Sequence, residues 1–229
     1  EDAVGAMPYI LKRHSDMSLV IGGETEPAMQ PYRNRLQRQA EELGCAHRIH
    51  WVGKLTQAEM AWCFRQCEAF LMTSRVEACP NTVLEAMSQS CLSVSTTSPP
   101  MPEMYGDTAF LYRAGNSEEL ATQVDAALSM DAADRYIRKS AARRRADGDR
   151  DRPRDLYLRL GGRGEVLELL DGHLVAEVGQ VEGELHVVSL SVRRLRWPEV
   201  VSLLVDSRRG EAKPLAPEPN LSPNGKIGR

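Results

Sequence analysis

A chain of 229 residues with 42% hydrophobic content can bury a substantial core, enough for one domain of about 150 residues and an appendage. A net charge of -3 and a pI near 6.0 lack the basic footprint of a nucleic-acid binder, so no nucleic-acid partner is expected. No apolar run approaches the roughly 18 residues that cross a bilayer and no leader-like segment opens the chain, so the cytoplasm is the default expectation.

Five cysteines, Cys45, Cys63, Cys67, Cys79 and Cys91, do not form the dense even pattern of a small disulfide scaffold, and reduced thiols are expected. Cys63 and Cys67 lie four apart on a helix-like stretch and could join His47 and His50 around a metal. Zinc motifs use tighter CxxC spacing, so buried core cysteines are the preferred reading and no metal site is expected. The chain opens at Glu1 without an initiator methionine and reads as starting inside a helix, which suggests a fragment.

Taken in order, Met7 to Arg13 has the apolar spacing of a helix end, and Ser18 to Gly23 reads as a fully buried strand stopped by two glycines. Pro31 to Leu43 follows as a helix with Leu36, Ala40 and Leu43 on one face and Gly44 as its stop. Arg48 to Gly53 is a second strand. Thr56-Gln-Ala-Glu59 is a capping-box signature ahead of Met60, Cys63, Phe64 and Cys67, so a helix starts there. Ala69 to Ser74 is a third strand, a helix begins near Asn81 or Thr82 and runs to about Ser90, and Leu92 to Thr97 reads as an alternating fourth strand. The breakers Ser98-Pro-Pro-Met-Pro102 end it. Ala109 to Tyr112 is edge-like, Asn116-Ser-Glu-Glu119 caps the next helix, and Ala132 to about Arg145 is the last.

Strand–helix alternation with short connections predicts an α/β, Rossmann-like doubly wound parallel sheet over residues 1–146. At Asp147 the composition turns to mixed charge with Gly and Pro, so 147–160 reads as a charged linker with a short helix remnant. Residues 161–214 read as a small β appendage, with a hairpin at Asp171-Gly172 and a strand over Leu185 to Val192. Residues 215–229 read as a disordered tail.

The stretch from Arg75 to Met87 joins the third strand to the helix that follows. It brings Glu77 and Glu85 to either side of a helix N-terminus, whose free N–H groups and dipole attract phosphate. Glu77 and Glu85 also stand in an E-x7-E arrangement. With Leu19 to Gly22, Leu43-Gly44, Arg48 to Gly53, Ala69 to Ser74, Leu84-Glu-Ala-Met87, Pro102-Glu103 and Gly106-Asp107 in matching order, the chain from Glu1 to about Arg145 resembles the donor-binding, C-terminal half of retaining family 4 glycosyltransferases. These are group 1 glycosyl transferases of the GT-B fold.

The resemblance implies a hexosyl-type transfer, with retention, from a nucleoside-diphosphate sugar to a glycan or lipid acceptor, with no required metal or other cofactor. Glu77 would bind donor-sugar hydroxyls and is the catalytic candidate, and Glu85 would bind the ribose. The turn formed by Cys79, Pro80, Asn81 and Thr82 would hold sugar and diphosphate through its backbone N–H groups. Gly53, Lys54 and Leu55 would contact the base, and Glu103 would complete the donor site. Carboxylates are acceptor-only groups suited to paired hydroxyls, and the departing diphosphate gains the charge a helix N-terminus stabilises.

Plainer readings stand beside these. Thr82-Val-Leu-Glu85 is itself a capping-box pattern, Glu77 reads equally as a solvated loop carboxylate, Glu103 as a cap and Lys54 as a surface lysine. Asp149-Arg-Asp151 matches the metal-binding DxD of the other glycosyltransferase fold but follows no strand. Ser90 and Leu92 stand where the family usually has Gly and Pro, and Ser90 is uncomfortable if its backbone needs positive φ. The family's acceptor-binding domain and the first strand of this domain are missing from the sequence, and any membrane contact would be peripheral, through that missing domain. The long returning helix is reduced to Leu156 to Leu160. A non-catalytic nucleotide-binding module of the same fold, or a doubly wound regulatory domain unrelated to sugars, therefore remain open alternatives.

Overall fold

The computed structural model describes residues 1–148 and 188–191, all within one compact unit, Glu1–Arg193. The expected linker beyond Gly148, the hairpin at Asp171-Gly172, Asp149-Arg-Asp151 and the tail lie outside the described residues.

The alternation read from the sequence is present. Helix α1 (Asp2–Arg13) leads to β1 (Leu19–Gly22), then α2 (Gln30–Glu42), β2 (Ile49–Gly53), α3 (Gln57–Gln66) and β3 (Ala69–Met72). Next come α4 (Asn81–Ser88), β4 (Ser93–Thr96), α5 (Met101–Tyr105), β5 (Ala109–Tyr112), α6 (Ser117–Leu128), α7 (Ala132–Gly148) and β6 (Val188–Ser191). The capping box forms as expected: Glu59 N donates to Thr56 Oγ1 at 3.3 Å, and Thr56 N donates to the Glu59 carboxylate at 2.6 Å. Asn116 caps α6 by accepting from Glu119 N at 3.0 Å.

The sheet order is β2-β1-β6-β3-β4-β5, with β1/β2, β3/β4 and β4/β5 parallel. Leu19, Ile21, Leu71, Val94 and Tyr112 point to one face and pack with α1, α2 and α6 in the main core. Strand side chains alternate, so Val20, Phe70 and Met72 point to the other face. There the ring of Phe64 from α3 meets Phe70 edge-on, with centroids 5.2 Å apart. Strand β2 is mostly half-buried, whereas helices on both faces cover β1, β3 and β4. This is why β4 is buried along its whole length instead of alternating as its sequence predicts.

Three other differences have physical causes. Helix α5 forms inside the expected breaker run, because a proline at the start of a helix gives up an N–H that has no partner there anyway. Helix α7 continues through Asp147 and Gly148, past the expected end of the domain. Strand β6 comes from the range read as an appendage but lies in the middle of this sheet, antiparallel to both β1 and β3. Its partners run Leu19 to Gly22 on one side and Ala69 to Leu71 on the other.

Ser90 does sit at φ +55, after α4 has ended. A left-handed backbone brings Cβ against the carbonyl at a cost of about 1–2 kcal/mol for an L-residue, partly offset by the extra freedom glycine has when unfolded. Ser90→Gly is therefore expected to stabilise the domain by about 0.5–1 kcal/mol in urea unfolding. A loss of stability would contradict it.

Candidate functional site

The strand order reverses between β1 and β3, which is where open α/β sheets place their ligands, beyond the carboxyl ends of the strands. A cleft opens there. It is lined by Glu1 to Val4 at the start of α1, Ile21 near the end of β1, Tyr32 and Leu36 of α2, Met72 to Arg75 leaving β3, Glu77 and Thr82. Its volume of about 170 Å³ is below the roughly 300 Å³ or more of a typical small-molecule pocket, so it encloses only part of a larger ligand.

The chain leaving β3 is held from β4. Ser95 Oγ donates to the Met72 carbonyl at 3.3 Å, and Thr96 Oγ1 donates to that of Ser74 at 2.9 Å. Ser74 Oγ in turn donates to the Val76 carbonyl at 3.1 Å. This row of hydroxyls fixes the start of the loop that carries Glu77. The loop enters α4 through Pro80, which serves as N-cap with no side-chain cap. Helix geometry leaves the N–H groups of Asn81 and Thr82 in that first turn without intrahelical acceptors. Thr82 lines the cleft, and Glu85 follows three residues later on the same side of the helix.

The capping box available to Thr82 and Glu85 does not form, since Thr82 would have to be the N-cap and that place is taken two residues earlier by Pro80. Glu85 is exposed, and desolvation by the surrounding protein moves its carboxyl pKa upward only in part. Glu77 is half-buried. Burial first, and then the charge of Glu77, push the Cys79 thiol upward, so it stays protonated.

Other predicted positions stand apart from the cleft lining. Gly53 takes φ +70 at the end of β2, and its carbonyl accepts from Gly23 N at 2.9 Å. Lys54 pairs with Glu24 at 3.3 Å on the surface, and Leu55 closes over Gly22, where an added Cβ would meet its Cδ1 at 3.0 Å. The segment Gly53 to Leu55 thus lies beside the end of β1. Glu103 is exposed on α5, and its main-chain carbonyl accepts from Arg145 Nη2 at 2.6 Å. Among the described residues no group of three or more His, Cys, Asp or Glu is placed to hold a metal. Cys67 instead faces Cys91, sulfur to sulfur at 3.1 Å in the core.

The fold also brings to the cleft Asp2, Tyr32 and Arg75, residues for which the sequence alone indicates no role. Asp2 is 4% exposed and accepts from Arg75 Nη2 at 3.1 Å, Tyr112 OH at 3.0 Å and Gly115 N at 2.7 Å. Burial, and then the Asp2 carboxylate, hold the Tyr112 phenol well above its usual pKa, so it remains a donor. Arg75 stood inside the motif stretch. Asp2 carried no local signal, because it lies 73 positions away in the chain.

Comparisons with known proteins agree with this fold. No curated protein matches the chain. Among solved structures it is similar to the C-terminal domain of a glycosyl transferase group 1 family protein, LpcC, from Francisella tularensis, with 22% identity and a TM-score of 0.58. That match covers 65% of this chain and 77% of that one. It is also similar to HepE from Anabaena, solved in complex with UDP, with 20% identity and a TM-score of 0.59, over 69% of this chain and 43% of HepE. Sucrose-phosphate synthase from Thermosynechococcus elongatus matches with 15% identity and a TM-score of 0.57, over 70% of this chain and 41% of the synthase. The chain thus spans less than half the length of the latter two. The model of the glycosyl transferases group 1 family matches residues 1–144, more than half of the chain, and the chain belongs to that family.

Proposed function

We propose that this chain supplies the nucleotide-sugar-binding half of a glycosyltransferase that moves a hexosyl unit with retention. The observation that carries the reading is the cleft at the reversal of strand order, with Glu77 and Thr82 in its wall and the uncapped start of α4 beside them. Support comes from HepE, a protein of the same fold solved with UDP and with UDP-glucose.

In this reading the diphosphate lies at the first turn of α4, Glu77 accepts from sugar hydroxyls and Glu85 from the ribose. Residues Gly53 to Leu55 border the base, with Cys79, Pro80 and Asn81 shaping the turn and Glu103 outside the cleft wall. When the glycosidic bond breaks, negative charge accumulates on the leaving diphosphate, and fixed N–H dipoles stabilise it with little reorganisation. A phosphate oxygen of the donor takes the proton of the acceptor hydroxyl, so no protein nucleophile is needed and positioning carries the catalysis. No metal takes part in this scheme. The acceptor, a glycan or lipid, would bind to the acceptor domain that the family resemblance implies.

Two substitutions separate the roles. Glu85→Ala is expected to weaken nucleoside-diphosphate binding about tenfold or more, the loss of a charged hydrogen-bonding pair with the ribose. Glu77→Ala is expected to spare the nucleoside diphosphate and weaken the sugar nucleotide. Unchanged affinity for both ligands in both variants, measured by calorimetry, would contradict the reading.

A further inference from the structure

Among the described residues, Arg75 is the single Lys, Arg or His side chain in the wall of the cleft. Its guanidinium is 55% exposed, yet its position is not left to chance. Nη2 donates to Asp2 Oδ1 at 3.1 Å and lies 3.3 Å from Glu1 Oε2. Asp2 is in turn locked by Tyr112 OH and Gly115 N, so the anchor of Arg75 is buried and tied to β5 and the turn after it. Among the described residues Nε and Nη1 carry no hydrogen-bond acceptor. The guanidinium is therefore held through Nη2 in the cleft wall, with Nε and Nη1 left for forked contact with phosphate oxygens.

We infer that Arg75 is the phosphate-binding cation of this cleft, contacting the diphosphate of the nucleotide ligand, with Asp2 as its positioning residue. This rests on the donor-site reading above and names the group that neutralises the ligand's charge. Three carboxylates share the wall, Glu1, Asp2 and Glu77, and each is accounted for. Asp2 is satisfied by three donors. Glu1 has a second cation, Arg35 Nη2 at 2.9 Å, which is itself stacked on the Tyr32 ring with its guanidinium carbon 4.9 Å from the centroid. Arg75 can thus turn toward a phosphate without leaving Glu1 uncompensated. Glu77 stands further along the loop, where the reading places sugar hydroxyls rather than phosphate.

The test is titration of the wild-type chain, Arg75→Ala and Arg75→Lys with UDP, UMP and uridine, or the guanosine or adenosine series if that base is the one bound. Arg75→Ala is expected to weaken the diphosphate about tenfold or more, the monophosphate less and the nucleoside not at all, with Arg75→Lys recovering part of the loss. The salt dependence of diphosphate binding should flatten in Arg75→Ala. Equal weakening of all three ligands would mean a merely structural role and would overturn the inference. So would unchanged UDP affinity in a variant of a chain that binds UDP, and there the donor-site reading would survive. No binding of any nucleotide by folded wild-type chain would sink both.

Discussion

Asp2→Ala is expected to destabilise the domain by about 1–3 kcal/mol. The magnitude follows from what the substitution strands, since each buried donor left without an acceptor costs about 1–3 kcal/mol. Tyr112 is fully buried, and its hydroxyl and the Gly115 N–H both rely on Asp2 Oδ2. Asp2→Asn keeps one carbonyl oxygen and should fall between the wild-type and Ala values, and Tyr112→Phe added to Asp2→Ala should recover part of the loss. Urea unfolding of the four proteins measures all of this, and an Asp2→Ala midpoint equal to wild type would show that the cluster does not hold β5 to α1.

Leu190→Pro is expected to cost on the order of 3 kcal/mol, the scale of a proline that breaks a regular hydrogen-bonded element. The cost is one of backbone pairing. A strand with neighbours on both sides commits each N–H to one ladder or the other, and a proline in its middle removes one and crowds the partner strand. Leu190 is opposite Val20 of β1 and Phe70 of β3. Without β6 those two strands present unpaired edges to each other across the middle of the sheet, and exposed edges of this kind recruit other chains. The variant should unfold at lower urea and self-associate. A variant as stable and monomeric as wild type would show that Val188–Ser191 is not part of the folded sheet.

These two cases also mark what sequence could and could not reveal. Periodicity and caps are local, so α2, α3, α6 and the parallel strands are legible, while the positive φ of Ser90 is hinted at only by the glycine that the family resemblance puts there. Helix α5 was hidden because Pro99, Pro100 and Pro102 look like breakers, although Pro102 stands at the helix start, where the ring is harmless. Leu185 to Val192 was legible as a strand, but its pairing partners were not. Nothing in four residues says which edges they will join, and the range looked like an appendage only because a domain was already complete without it. The motif loop was legible through Glu77 and Glu85, whereas the anchor beneath Arg75 was not, because the chain closes a long loop to bring Asp2 to it.

The measurement that bears most directly on the donor-site account is calorimetric titration of the wild-type chain with UDP, GDP and ADP, alongside circular dichroism to establish that it is folded. The account predicts saturable binding of one of the three, weakened by Glu85→Ala. A folded chain that binds none of them would contradict it and leave the nucleotide-independent use of the same fold as the better explanation.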